Sequence, residues 1–152
     1  MTILPIITAP DPRLKVKCDP VEEVTPELVK LMDDMLDTMY DAPGIGLAAP
    51  QVDLQKRIIV ADVSAPEEER DPHQMMNPEI IWISEELFEY EEGCLSFPEQ
   101  YADVIRPKKV NIKYLDKEGI SRNIEAEDLL ATCIQHEIDH LEGILFIDYL
   151  SK

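Results

Sequence analysis

The chain has 152 residues, of which 45% are hydrophobic and 30% charged, with 32 acidic against 14 basic side chains and a formal net charge of −18. This composition fits one globular domain spanning residues 1–152 and argues against wholesale disorder. The negative excess repels phosphate backbones and anionic lipid surfaces, so neither nucleic acid nor a membrane is expected as a partner.

The N-terminal stretch from Met1 to Leu14 contains Pro5, Pro10, Asp11 and Pro12, which is not the pattern of a signal peptide. No segment approaches the ~18 apolar residues of a membrane span. The cysteines Cys18, Cys94 and Cys133 are odd in number and widely spaced, which suits a reducing cytoplasm rather than a disulfide scaffold.

The first clear element is a helix. Thr25 is a good N-cap, Pro26 suits the first helical position, and Leu28, Leu31, Met32, Met35, Leu36, Met39 and Tyr40 recur at helical spacing. The run Asp41-Ala42-Pro43-Gly44 ends it. Its methionine stripe reads as core. Arg57 to Val63 reads as a strand, and Glu67 to Arg70, between Pro66 and Pro72, as a solvated loop. Glu79 to Tyr90, in the same strand region, is mixed and contains Ile80, Ile81, Trp82 and Ile83. Lys109 to Tyr114 alternates as a half-buried strand, turns at Asp116-Lys117-Glu118-Gly119, and returns over Ile120 to Ile124. A last helix is expected from Glu125 to Glu142, with Gly143 at its C-cap. Strands gathered between two helices predict an α+β domain.

The last helix carries the strongest chemical signal. At about 100° per residue, Leu129, Leu130, Cys133, Ile134, Ile138 and Leu141 share an apolar sector, while Ala131, Thr132, Gln135, Asp139 and Glu142 fall opposite. His140 and Glu137 lie inside the apolar sector and His136 at its edge, so three ionisable groups point to the core and need partners. His136 and His140 are one turn apart and can share a divalent cation, with Glu137 beside it as a proton acceptor. Two imidazoles leave a site incomplete. His73 sits in a polar loop between Pro72 and Gln74, Cys133 is too far along the axis from His140 to share an ion easily, and Asp139 faces the polar sector. Cys94, after Gly93 in Glu92-Gly93-Cys94-Leu95-Ser96, could close the site, although a free cysteine is usually a small core residue.

Three segments then line up in order: Gly44-Ile45-Gly46-Leu47-Ala48-Ala49-Pro50-Gln51, Glu92-Gly93-Cys94-Leu95-Ser96 and Gln135-His136-Glu137-Ile138-Asp139-His140-Leu141. Together they resemble the signature of the peptide deformylases, over nearly the whole chain from about Ile3 to Leu150. The glycine pair is not a dinucleotide loop, since it follows a helix and lacks the third glycine.

The resemblance implies an α+β fold whose antiparallel or mixed sheets pack around a central C-terminal helix bearing the His136–His140 motif. It implies that Cys94, His136 and His140 bind one divalent ion, commonly Fe2+ in the family, with Zn2+, Ni2+ or Co2+ also accommodated. Glu137 would manage protons while water attacks the formyl group of N-formylmethionyl nascent peptides, and Gln51 and the Leu95 N–H would hold the oxyanion. Gly44, Ile45 and Gly46 would pair with the peptide backbone, and Ile45, Leu129 and Cys133 would line a methionine pocket. Glu92 and Arg106 would pair to hold the cysteine loop.

Many members of the family continue into a basic C-terminal helix that docks on the ribosome. This acidic chain stops at Ser151-Lys152, so stable docking by such a tail is not expected, and a monomer is. Some members carry a basic residue where Tyr101 stands, so contacts to the substrate's backbone are expected to differ here. Two rival readings are a zinc endopeptidase, which leaves Cys94 and the Gly44–Gln51 segment without a role, and a metal-holding scaffold without activity.

Overall fold

The computed structural model describes residues 2–146 and Asp148; Ser151 and Lys152, at the expected tail end, lie outside the described residues. Two helices and seven strands form the frame: α1 (Pro26–Asp41), β1 (Gly46–Ala48), β2 (Ile58–Ala61), β3 (His73–Ile83), β4 (Leu87–Cys94), β5 (Phe97–Pro107), β6 (Lys109–Leu115), β7 (Ser121–Glu127) and α2 (Leu129–Leu141). The strands make a five-stranded sheet ordered β1-β2-β3-β6-β7 and a separate β4-β5 ribbon, with antiparallel pairing throughout. This is the α+β architecture expected.

The sheet is covered on both faces. On one, Met32, Met35 and Met39 of α1 pack with Leu47, Ile58, Val60 and Met76. On the other, Ile134, Ile138 and Leu141 of α2 pack on Ile59, Met75, Val110, Ile112 and Ala126. The strand period of two sends Ile58 and Val60 to one helix and Ile59 to the other, which is why all of β2 is apolar and buried. A third cluster joins Leu14, Phe97, Val104, Leu145 and Phe146 beneath the ribbon.

The helix ends follow local chemistry. Thr25 caps α1, its hydroxyl accepting from the Leu28 N–H at 3.2 Å. Beyond α2, Gly143 takes φ +75°, its N–H donates to the His140 carbonyl and the Ile144 N–H donates to the Asp139 carbonyl. A Cβ on Gly143 would stand 2.6 Å from the Lys15 carbonyl oxygen.

Several expectations are corrected. The helix expected from Glu125 begins at Leu129, because Glu125, Ala126 and Glu127 pair with Asn111, Val110 and Lys109 of β6. Sheet pairing overrides the helix preference of glutamate and alanine there. The mixed run Glu79–Tyr90 is shared between β3 and β4, which part where the Ser84 N–H donates to the Lys109 carbonyl and the Lys108 N–H to the Glu86 carbonyl. His73 belongs to β3 rather than a loop. The polar sector expected of α2 is only partly polar in its surroundings: Ala131, Thr132 and Gln135 are buried with the apolar residues, while Asp139 and Glu142 stay partly exposed. Gln135 is accommodated by donating to the carbonyls of Pro107 and Ala131.

Candidate metal centre and cleft

The ribbon and α2 meet at a cluster of three ligand-type side chains. One ligand atom from each of Cys94, His136 and His140 lies within 4.8 Å of the others, and the Cys94 Sγ is 3.3 Å from the His140 Nε2. Ligands of a tetrahedral ion at roughly 2.0–2.3 Å stand about 3.3–3.8 Å apart, so the donor set has the right span as well as the right chemistry. His73, Cys18 and Cys133 take no part in the cluster.

The electrostatics around the trio favour a cation. Burial opposes charge on His136, but the Cys94 sulfur and the Glu92 carboxylate prevail and push its pKa up to about 10. Burial and the nearby charges of His136 and Arg106 hold His140 well below the usual histidine value, so its imidazole stays neutral. Its Nδ1 is buried without a hydrogen-bond partner among the described residues.

Behind His136 stands a charged chain. Its Nδ1 is 2.9 Å from the Glu92 Oε1, and Arg106 donates to Glu92 at 2.6 and 3.0 Å and to Asp139 at 2.9 Å. Burial would raise the Glu92 carboxyl, but the His136 and Arg106 hydrogen bonds bring it below its usual value. The structure thus brings Glu92 and Arg106 together as expected, and adds Asp139 on the far side of the guanidinium. By accepting from Nδ1–H, Glu92 leaves Nε2 as the nitrogen of His136 available to the cluster.

Glu137 is 4% exposed, and its Oε1 has no partner among the described residues. Burial pushes its carboxyl up to about 7, against the opposing charges of His136 and Arg106. Its seat exists because residue 46 is glycine: a Cβ there would stand 2.5 Å from Glu137 Oε2 and 2.7 Å from Cys133 Sγ. Cys133 is buried, and its thiol donates to the Ile45 carbonyl at 3.3 Å.

Gln51 is held at both ends. Its Oε1 accepts from the Ala48 N–H at 2.9 Å, and its Nε2 donates to Ser96 Oγ at 3.0 Å and lies 3.5 Å from Cys94 Sγ. The fully buried Ser96 is the functional neighbour that sequence reasoning missed; its place two residues after Cys94 is the only local signal. Phe146, also missed, sets its ring 5.7 Å from that of His136.

A cleft of about 640 Å³ opens onto these groups, lined by Ala42–Gly46, Tyr90–Leu95, Phe97–Tyr101 and, from α2, Leu129, Thr132, Cys133, His136 and Glu137. Gly44, Ile45, Gly46, Glu92, Cys94, Leu95, Leu129, Cys133, His136 and Glu137 all reach it. Gln51, Arg106 and His140 stand buried behind the wall.

A buried carboxyl poised near neutrality beside a thiol and two imidazoles, at the base of a cleft, is the equipment of a hydrolase. Comparison with known proteins gives the class its family. The polypeptide deformylase family model matches residues 3–152. The peptide deformylase of Methylocella silvestris is 56% identical over 155 residues, covering 100% of this chain and 79% of its own. Among solved structures, the peptide deformylase of Ehrlichia chaffeensis in complex with actinonin superposes with a TM-score of 0.95 at 44% identity, covering 100% of this chain and 91% of that one. That of Thermotoga maritima gives 0.93 at 39% identity, with both chains fully covered. The chain belongs to the polypeptide deformylase family.

Proposed function

We propose that this hydrolase uses one divalent metal ion to remove the N-terminal formyl group from N-formylmethionyl peptides of newly made proteins, releasing formate. The observation that carries this reading is the convergence of Cys94, His136 and His140 beside the buried, unpartnered Glu137. One sulfur and two imidazoles suit Fe2+, which we assign as the native ion, and also Zn2+, Ni2+ or Co2+. Such an ion supplies Lewis-acid polarisation and lowers the pKa of water in contact with it.

The remaining work falls to the chain. Glu137, with a carboxyl near neutrality, takes a proton from the attacking water and returns it to the amine as the formyl C–N bond breaks. The Gln51 amide, fixed by Ala48 and Ser96, and the Leu95 N–H donate to the developing oxyanion. The backbone of Gly44, Ile45 and Gly46 pairs with the extended peptide, while Ile45, Leu129 and Cys133 line the pocket for its methionine. Glu92 and Arg106 keep His136 and the cysteine loop in register. We further propose that the protein acts as a cytoplasmic monomer, and that its net charge of −18 opposes docking on ribosomal RNA.

Anaerobically metal-loaded protein incubated with a formyl-Met peptide is expected to yield formate and the free N-terminal amine. Cleavage of internal peptide bonds without formate overturns the reading in favour of an endopeptidase.

A further inference from the structure

A strap outside both sheets ties together the two turns that carry the oxyanion donors. Residues 2–9 belong to no helix or strand. Pro5 and Pro10 carry no N–H and fix φ near about −65°, so the stretch runs extended and spends its other donors on distant partners. The Leu4 N–H donates to Thr38 Oγ1 on α1 at 2.9 Å, the Ile7 N–H to the Gln51 carbonyl at 2.7 Å, and the Ala9 N–H to the Ser96 carbonyl at 2.8 Å. Gln51 and Ser96 are already joined by their side chains at 3.0 Å. Residues 7–9, Gln51 and Ser96 therefore close a ring, and Leu95 is the next residue along from it.

That ring does what the sheets do not. The Gln51 turn follows β1 of the five-stranded sheet, whereas Leu95 and Ser96 join the strands of the separate ribbon, so no ladder fixes the gap between the two donors. The strap itself is well anchored. Ile7 and Ala9 pack on the apolar cluster beneath the ribbon, and Ile6 between them and Pro5 reaches the cleft wall. Further along, Arg13 pairs with Asp53 at 2.9 Å, and the Cys18 N–H donates to the Leu141 carbonyl at 2.7 Å.

We propose that Ile7 and Ala9 are positioning residues whose backbone N–H groups hold the Gln51 amide and the Leu95 N–H at the separation the developing oxyanion requires. The strap touches no reacting atom. Oxyanion donors must stand about 2.7–3.1 Å from the place where the charge forms, and a shift of about 1 Å can cost about 10²-fold in rate. A slackened strap therefore lowers turnover while the bound peptide, paired along Gly44–Gly46, is held nearly as well. This rests on the deformylase reading and its assignment of Gln51 and Leu95.

The test replaces one N–H by an ester oxygen, which deletes the donor and keeps the side chain. Residues 1–17, made as a synthetic thioester, are ligated to the rest of the chain at Cys18 and the product is loaded with metal. Against an all-amide chain assembled the same way, an ester at residue 7 or residue 9 is expected to lower kcat on a formyl-Met peptide about tenfold, with KM changed by less than about twofold and metal content near one per chain. An ester at residue 4, which deletes the bond to Thr38, is expected to lower the melting temperature comparably and leave kcat unchanged. In a Gln51→Ala background the residue 7 ester is expected to lower kcat by less than about twofold, because the amide it positions is gone. An unchanged kcat for both esters, a tenfold loss that persists in Gln51→Ala, or a loss that tracks missing metal overturns the positioning role alone. Absence of formate from the all-amide chain overturns the proposed function and the role of the strap with it.

Discussion

The two helices cover opposite faces of one sheet, yet they solve different problems. α1 buries a stripe of Met32, Met35 and Met39 with only Thr38 among them, and Thr38 accepts from the Leu4 N–H and donates to the Asp34 carbonyl. α2 borders the sheet on one side and the cleft on another, and buries His136, Glu137 and His140 in addition to its apolar residues. Around α2, Gln135, His136 and the Glu92–Arg106–Asp139 chain are satisfied, while Thr132 Oγ1, Glu137 Oε1 and His140 Nδ1 have no hydrogen-bond partner among the described residues. Unsatisfied buried polar atoms cost stability and are rare in native structures, so the pair on Glu137 and His140, side by side in the centre, marks where packing has been subordinated to chemistry. Flexible methionines on α1 can fill space anywhere, whereas the polar groups of α2 must occupy one geometry.

The sharpest contrast between the helices should come from Glu137→Gln. It is expected to lower formate release by about 10²–10⁴-fold while bound metal, measured by elemental analysis, stays near one per chain. Retention of full turnover would remove Glu137 from the proton path. Arg106→Ala comes next, because it leaves Glu92 and Asp139 without their buried counter-charge. It is expected to weaken metal retention about 10–100-fold and to cost about 3–5 kcal/mol in denaturant unfolding. Unchanged retention would separate the ion-pair chain from the site.

On the other face, Met35→Ala should cost about 2–5 kcal/mol of stability, with formate release per folded molecule unchanged. A large fall in activity at constant fold would show that α1 is coupled to the chemistry after all. The smallest effect concerns pH. Burial would raise the Asp62 carboxyl, but hydrogen bonds from Ser64, Tyr40 and the Asp71 N–H bring it below its usual value. A depressed carboxyl stabilises the fold above its unfolded pKa of about 4, and that contribution fades as pH falls through the folded value. Thermal unfolding of Asp62→Asn should therefore lose less between pH 5 and 3 than the parent protein does, and identical slopes would discount this residue.

Much of this was legible in the chain because its cause is local. A capping threonine, a proline at the first turn and apolar residues at helical spacing define α1. The His136–Glu137–His140 spacing defines half of the centre, and Gly143 marks a helix end. What escaped depends on partners far along the chain. β5 carries no strong alternation and exists because β4 pairs with it. The beginning of α2 is decided by β6, and the burial of Thr132 and Gln135 by everything that wraps the helix. Ser96 gains its role only when the Ala49–Val52 turn brings Gln51 against it.

The β4-β5 ribbon stands apart from the main sheet, and two strands alone are marginal in water. Its sulfur nevertheless faces an imidazole 46 positions further on. Any ion shared across that seam would act as a rivet, closing a long stretch of chain and fixing a weak flap to the best-buried rod in the molecule. Maturation and acquisition of competence would then be one event, and chelation should loosen the flap before it melts the rest, visible as early hydrogen exchange over residues 87–107.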